Sequence, residues 1–215
     1  MISTVKGGSG GGKSMRKSLE PGNQEVKIVG VRLTPGYLKD YPDAYSLIYI
    51  MESKPVGGNF EGFLRDKNDP SLGTHEGKVS WVKAAPFPFI NGTNKFGKEE
   101  NRDENILKSI KSLCIQTGCY EWFKSANNQY ESIEEFVEAF DQSKVYEDKW
   151  LYTCIQGDQY EKNGYMEWGL SLPYSKAGRY PYASVDGDQS KVIQFDEKLH
   201  IKTRVKKSSD DDIFI

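Results

Sequence analysis

At 215 residues, 37% hydrophobic and 13% aromatic, the chain can bury a core of its own and is too apolar to be a disordered one. No apolar run approaches a membrane span and no signal-like apolar core opens the chain, so neither a membrane protein nor a secreted one is expected. A net charge of −2 excludes a uniformly basic surface, so any nucleic-acid footprint has to be a local stripe.

Residues 1–24 are rich in Gly and Ser, carry Lys6, Lys13, Arg16 and Lys17, and close with Pro21-Gly22. Gly7 to Ser14 matches the phosphate-loop pattern G-x-x-x-x-G-K-S. A working loop of that kind follows a buried strand and opens a helix. Here only six residues precede it and Pro21 soon follows, so a flexible basic arm over 1–24 is expected instead.

Alternation marks a first strand from Glu25 to Leu33 and a second from Asp43 to Glu52. The second has Tyr45, Leu47, Tyr49 and Met51 on one face and Ala44, Ile48 and Ile50 on the other, so both faces should be covered. Asn59 to Arg65 reads as a third strand, and Lys78 to Ala84 can continue the sheet. The proline-punctuated loop Pro86-Phe87-Pro88-Phe89 follows.

Helical spacing then sets in. Ile106, Ile110, Leu113 and Thr117 share a face, with Gly118 at a C-cap position. Ser132 and Glu135 form a capping box ahead of Phe136, Val137 and Phe140. Strands resume at Lys149–Gln156 and Tyr165–Leu172, joined by a Gly-containing hairpin loop. A tyrosine-rich loop spans Pro173 to Tyr182, and a last strand region runs from about Lys191 to Val205.

Three strands, a helical insert and two strands is the order of an OB-fold, a small Greek-key barrel. The expected fold is therefore mainly β: an elaborated OB-fold barrel over 25–207, with a two-helix insertion near 101–143 between the third and fourth strands. Cys114, Cys119 and Cys154 are odd in number and suit a reducing cytoplasm. They read as core cysteines near a helix end rather than half a zinc site. His75 and His200 lie near no cysteine pair, and no nucleophile stands beside a base, so neither enzyme chemistry nor a metal or cofactor is expected.

Two stretches suit a single-stranded nucleic acid. From Lys198 to Lys206, Leu199, Ile201 and Val205 alternate with Lys198, His200, Lys202, Arg204 and Lys206. As a strand, this makes a cationic rail along an extended phosphate backbone, or an edge guarded by lysines. The second stretch interleaves rings and bases: Phe60, Phe63 and Arg65; Trp81, Lys83 and Phe87; and Tyr174, Lys176, Arg179, Tyr180 and Tyr182. Rings stack on bases while neighbouring cations hold phosphates. Trp81, Trp150 and Trp168 are read first as core, since large aromatics dominate small β cores, and Tyr174, Tyr180 and Tyr182 as exposed.

The chain ends V-K-K-S-S-D-D-D-I-F-I, with Asp210, Asp211 and Asp212 before Ile213, Phe214 and Ile215 (residues 208–215 form an acidic tail). An acidic run before bulky apolar residues suits a basic pocket with an apolar floor on a partner. This ending resembles the acidic, hydrophobic tip of bacterial and phage single-stranded DNA-binding proteins (SSBs). The family's usual bacterial ending is Ile/Leu-Pro-Phe, and the missing proline suits a phage protein. The resemblance implies sequence-tolerant binding of single-stranded DNA in replication, recombination and repair, inside a phage-infected bacterial cytoplasm. It also implies recruitment of replication and repair proteins through residues 210–215. The alternative from another class is a carbohydrate-binding β module or virion structural protein, with exposed tyrosines stacking on sugars.

Overall fold

A computed structural model describes residues 17–126, 129–162 and 165–203. Strand β1 (Gly22–Pro35) pairs antiparallel with β2 (Tyr45–Ser53), and β2 with β3 (Val79–Lys83). β3 then runs parallel to β7 (Tyr165–Ser171), which pairs antiparallel with β6 (Trp150–Lys162). β6 returns to the first half of β1, with Val26 opposite Leu151. The sheet thus closes in the order β1-β2-β3-β7-β6-β1, a five-stranded OB-like barrel.

Between β3 and β6 lie a small hairpin, β4 (Gly92–Thr93) with β5 (Glu99–Glu100), and three helices: α1 (Arg102–Thr117), α2 (Tyr120–Ala126) and α3 (Ile133–Ser143). The insertion therefore holds one short helix more than the two expected. β8 (Tyr182–Ser184), α4 (Glu197–His200) and β9 (Ile201–Thr203) follow the barrel, and β8 and β9 both add to β6. Among the described residues no helix is long and apolar enough to cross a membrane.

Alternation along β2 sends Leu47, Tyr49 and Met51 inward, where they meet Val26, Ile28, Val82, Leu151 and Leu170. Ile106, Ile110 and Leu113 of α1 and Phe136, Val137 and Phe140 of α3 join the same core. Full burial of one such side chain contributes about 1.5–3 kcal/mol, so the amphipathic helices are held chiefly by this face. Local caps set their ends. The Asn101 side chain accepts from the Glu104 amide at 3.0 Å, and Ser132 from the Glu135 amide at 3.2 Å.

β1 carries a bulge between Ile28 and Gly30 and pairs with β6 only as far as Lys27. Beyond that point the Val31 amide would face an open edge. Asp141 of α3 fills the gap: its carboxylate accepts from the Val31 N–H at 2.7 Å and from the Tyr146 hydroxyl at 2.6 Å. Burial works against this charge, but those two bonds and Lys144 outweigh it and hold the carboxyl below its ordinary range.

Four expectations need correction. Asn59–Arg65 is not a strand; it belongs to the long 54–78 connection, where Leu64 and Thr74 make a single bridge. Gly62 presses so closely on the His75 carbonyl that a Cβ there would overlap it. The barrel's third strand is Val79–Lys83. The arm gives way to the fold before residue 24: Leu19 is buried, the Val79 amide donates to the Lys17 carbonyl, and β1 already begins at Gly22. The Lys198 segment is a helical turn before it is a strand, because the Asp196 side chain caps the Lys198 amide at 2.9 Å. Trp81 is exposed, whereas Trp168 packs partly buried against the core and Trp150 is half-buried beneath Lys27 and Lys54.

Candidate nucleic-acid interface

The outer face of β1, β2 and β3 carries the clearest arrangement of rings and charges. Gly30, Ile50 and Trp81 stand in one cross-strand row, and Arg32, Ile48 and Lys83 in the next. Gly30 lacks a side chain where a Cβ would come within 3.0 Å of Ile50 Cδ1, which leaves this part of the face low. Trp81 is 55% exposed, and the Arg32 guanidinium lies 4.8 Å from its ring centroid. Arg32 and Lys83 are two strands apart, roughly 10 Å, so two exposed cations stand in the row beside one exposed ring.

A second group adjoins it because β3 and β7 leave the barrel side by side. Lys83 is in register with Ser171, and the Leu172 amide donates to the Lys83 carbonyl at 2.8 Å. Four residues past Lys83 and three past Ser171, Phe87 and Tyr174 meet, both more than half exposed. Burial of the Tyr174 hydroxyl raises it above the ordinary phenol range; the Phe87 backbone amide opposes that rise and the Glu100 charge adds to it. Lys95 and Lys202 ammonium groups stand 5.6 and 5.9 Å from the Phe87 centroid, and Lys95 stands 5.3 Å from that of Phe96. Gly36 packs against Pro88, where a Cβ would lie 2.8 Å from the proline Cβ, and the exposed Tyr37 follows directly on that contact.

The fold thus brings together Trp81, Lys83, Phe87, Tyr174 and Lys202 from the expected residues. Arg32, Tyr37, Lys95 and Phe96 join them without having been expected. Arg32 was legible as the polar position in the alternating V-G-V-R-L, and Phe96 as a lone ring within the polar turn N-K-F-G-K.

The other expected residues lie elsewhere. Phe60 is half-buried, while Phe63 and Arg65 are exposed on the 54–78 connection at the Val79 end of the face. That connection is tied down by Glu52, which accepts from the Gly77 amide and approaches His75 Nδ1, both at 3.1 Å. Burial opposes the Glu52 charge, yet Gly77, His75 and Lys27 hold its carboxyl below the ordinary range. Lys176 and Arg179 close a tight turn through Ala177 and Gly178, both left-handed. Tyr180 is partly exposed over α1, beside Lys108 and Lys111.

Tyr182 is a correction: it is 4% exposed, with its hydroxyl 3.5 Å from the Ser109 carbonyl, and it serves the core. Lys198 sits on α4 and shares no straight rail with Lys202. Leu199, expected on the face opposite the cations, is exposed. Arg204, Lys206, the Gly7–Ser14 look-alike and the tip residues Asp210, Asp211, Asp212, Ile213, Phe214 and Ile215 lie outside the described residues. Among the described residues no group of three or more His, Cys, Asp or Glu side chains is gathered as a metal ion would require. Comparison with protein-family models, with curated proteins and with solved structures finds no match to this chain.

Proposed function

We propose that this chain binds single-stranded DNA without strong sequence preference, laying the strand from Arg32 and Trp81 towards Phe87, Tyr174 and Lys202. The observation that carries this reading is Trp81. A tryptophan in the middle of a barrel strand normally buries its large apolar ring. This one stands outward beside the exposed Arg32 and Lys83, on the strand 2–3 face with which OB-folds hold oligonucleotides. Isolated exposed rings carry no meaning, but Trp81, Phe87, Phe96 and Tyr174 share their surroundings with four cations. Each stacked base contributes ~1–3 kcal/mol, so two or three rings suffice for useful affinity.

The role in replication, recombination and repair, in the cytoplasm of a phage-infected bacterium, rests on the resemblance of the ending D-D-D-I-F-I to the SSB tip. In this reading the three aspartates meet lysines or arginines of a replication or repair protein, and Phe214 fills an apolar pocket on it.

A salt titration of fluorescent oligonucleotide binding tests the first part. Single strands should bind well above duplex. If Arg32, Lys83, Lys95 and Lys202 each neutralise one phosphate, log K should fall against log[salt] with a slope near −2.8, at about −0.7 per contact. Equal affinity for duplex, a flat salt response, or binding only to oligosaccharides would overturn it. The tip is tested separately by capture of partners from phage-infected cells with and without residues 210–215.

A further inference from the structure

Helix α1 ends in a Schellman motif whose two apolar partners are both thiols. Gly118, left-handed at φ 73°, donates its amide to the Ile115 carbonyl at 3.4 Å, and Cys119 donates to the Cys114 carbonyl at 2.9 Å. In this motif the side chains at the ends of the longer bond touch. Here those side chains belong to Cys114 and Cys119, so the 2.9 Å backbone bond sets the two thiols at neighbouring positions. A backbone bond of this kind holds its end residues about as close as hydrogen-bonded cross-strand neighbours, ~5.5 Å between Cα atoms, within the span of a disulfide.

The two sulfurs are unequal in a way that divides their labour. Cys114 is fully buried, and its thiol is pushed up, first by the neighbouring Cys119 thiol and then by burial. Cys119 is half-buried. Its thiol is held below the ordinary range by the neighbouring Cys114 thiol, with burial opposing and with its own backbone amide and the Lys149 charge assisting. Thr117 Oγ1 stands 3.1 Å from its sulfur. Thr117, Gly118 and Lys149, which flank Cys119 in the chain or in space, also line an open cavity of about 410 Å³. Asp148 and Asp186 line the same cavity. Cys154 is different: it is buried in a separate small cluster with Ala183 and Val192, and burial pushes its thiol up to about 11.

The geometry points to a thiol–disulfide modification site in which a low-molecular-weight disulfide converts Cys119 and Cys114 into an intramolecular bridge at the end of α1. The Cys119 thiolate attacks one sulfur of the reagent R–S–S–R, forming a mixed disulfide and releasing R–S⁻. Cys114 gives its proton to that leaving thiolate and attacks the Cys119 sulfur, releasing a second R–S⁻, which takes up the proton first lost by Cys119. The protein loses two electrons and two protons, and the reagent is reduced to two thiols. Closure is favoured because the Schellman turn already holds the two cysteines at neighbouring positions.

The experiment treats the folded full chain with oxidised glutathione and follows intact mass, free-thiol count and peptide mapping. The wild-type chain should lose two of its three thiols and two hydrogens in mass, keep no glutathione, and map to a Cys114–Cys119 bridge. Cys114→Ala should trap one glutathione on Cys119, and Cys119→Ser should react at neither position over the same time. Cys154 should stay free throughout, and 5,5′-dithiobis(2-nitrobenzoate) should reach Cys119 at least tenfold faster than Cys154. Mapping of the wild-type chain needs no substitution, so a poorly folding variant leaves the test intact. A persistent glutathione adduct on the wild type, a bridge involving Cys154, or unreactive thiols in the folded chain would overturn the inference.

Discussion

Replacing Trp81 with alanine separates the interface reading from a structural one, because Trp81 and its neighbour Val82 face opposite ways. Trp81 is 55% exposed and Val82 is fully buried against Leu170. On the DNA side the substitution removes one stacking platform, ~1–3 kcal/mol, which is about 5- to 150-fold in Kd. On the stability side it removes an exposed ring and its contact with Arg32, worth about 0.5–1 kcal/mol. For a chain of this size that shifts Tm by roughly 1–4 °C. Leu170→Ala is the matched control. It empties a buried core position across the same strand pair, at about 2–5 kcal/mol, and should lower Tm by roughly 4–20 °C. Below its melting range it should leave DNA affinity near wild type. Trp81→Phe keeps a ring and should restore most of the binding. Fluorescence anisotropy with a labelled single strand and a thermal melt on each variant complete the comparison. If Trp81→Ala melts as early as Leu170→Ala, or melts normally and binds DNA as well as wild type, the face is not a stacking surface.

Arg32→Ala and Lys202→Ala should each make the salt slope shallower by about 0.7 in the same titration, because each removes one phosphate contact. Tyr182→Ala should cost about 3–5 kcal/mol in a denaturant melt with no defect specific to DNA, since the ring is core. The lowered carboxyl of Asp141 contributes stability that is fully present above the ordinary carboxylate pKa and lost as pH falls through its depressed folded value. Asp141→Asn should therefore destabilise the chain at neutral pH by roughly 1–3 kcal/mol and flatten the acid limb of its stability–pH curve. An unchanged acid limb would mean that the Val31 and Tyr146 bonds matter little.

Much of the barrel was written in local pattern. Alternation marked β1 and β2, a hairpin signal marked β6 and β7, the Gly118 and Ser132 caps marked helix ends, and the order of strands and helices pointed to the OB-like closure. These are signals that a strand or helix carries within its own few residues, whatever it later packs against. The third strand was not local in this sense. Asn59–Arg65 and Val79–Lys83 are both short and aromatic, and only pairing with Ile50 on one side and Leu170 on the other selects the second. The same holds for which rings face out. Alternation says that Trp81 and Val82 point opposite ways, but the parallel alignment with β7 turns Val82 inward and leaves Trp81 in solvent. Tyr182 sits in as polar a loop as Tyr174, yet pairing with Thr153 draws it under α1. The meeting of Phe87 with Tyr174, 87 positions apart in the chain, exists only because β3 and β7 leave the barrel in parallel. Periodicity belongs to the chain; the choice of inside or outside, and of which distant residues become neighbours, is made when the sheet closes and its strands find their partners.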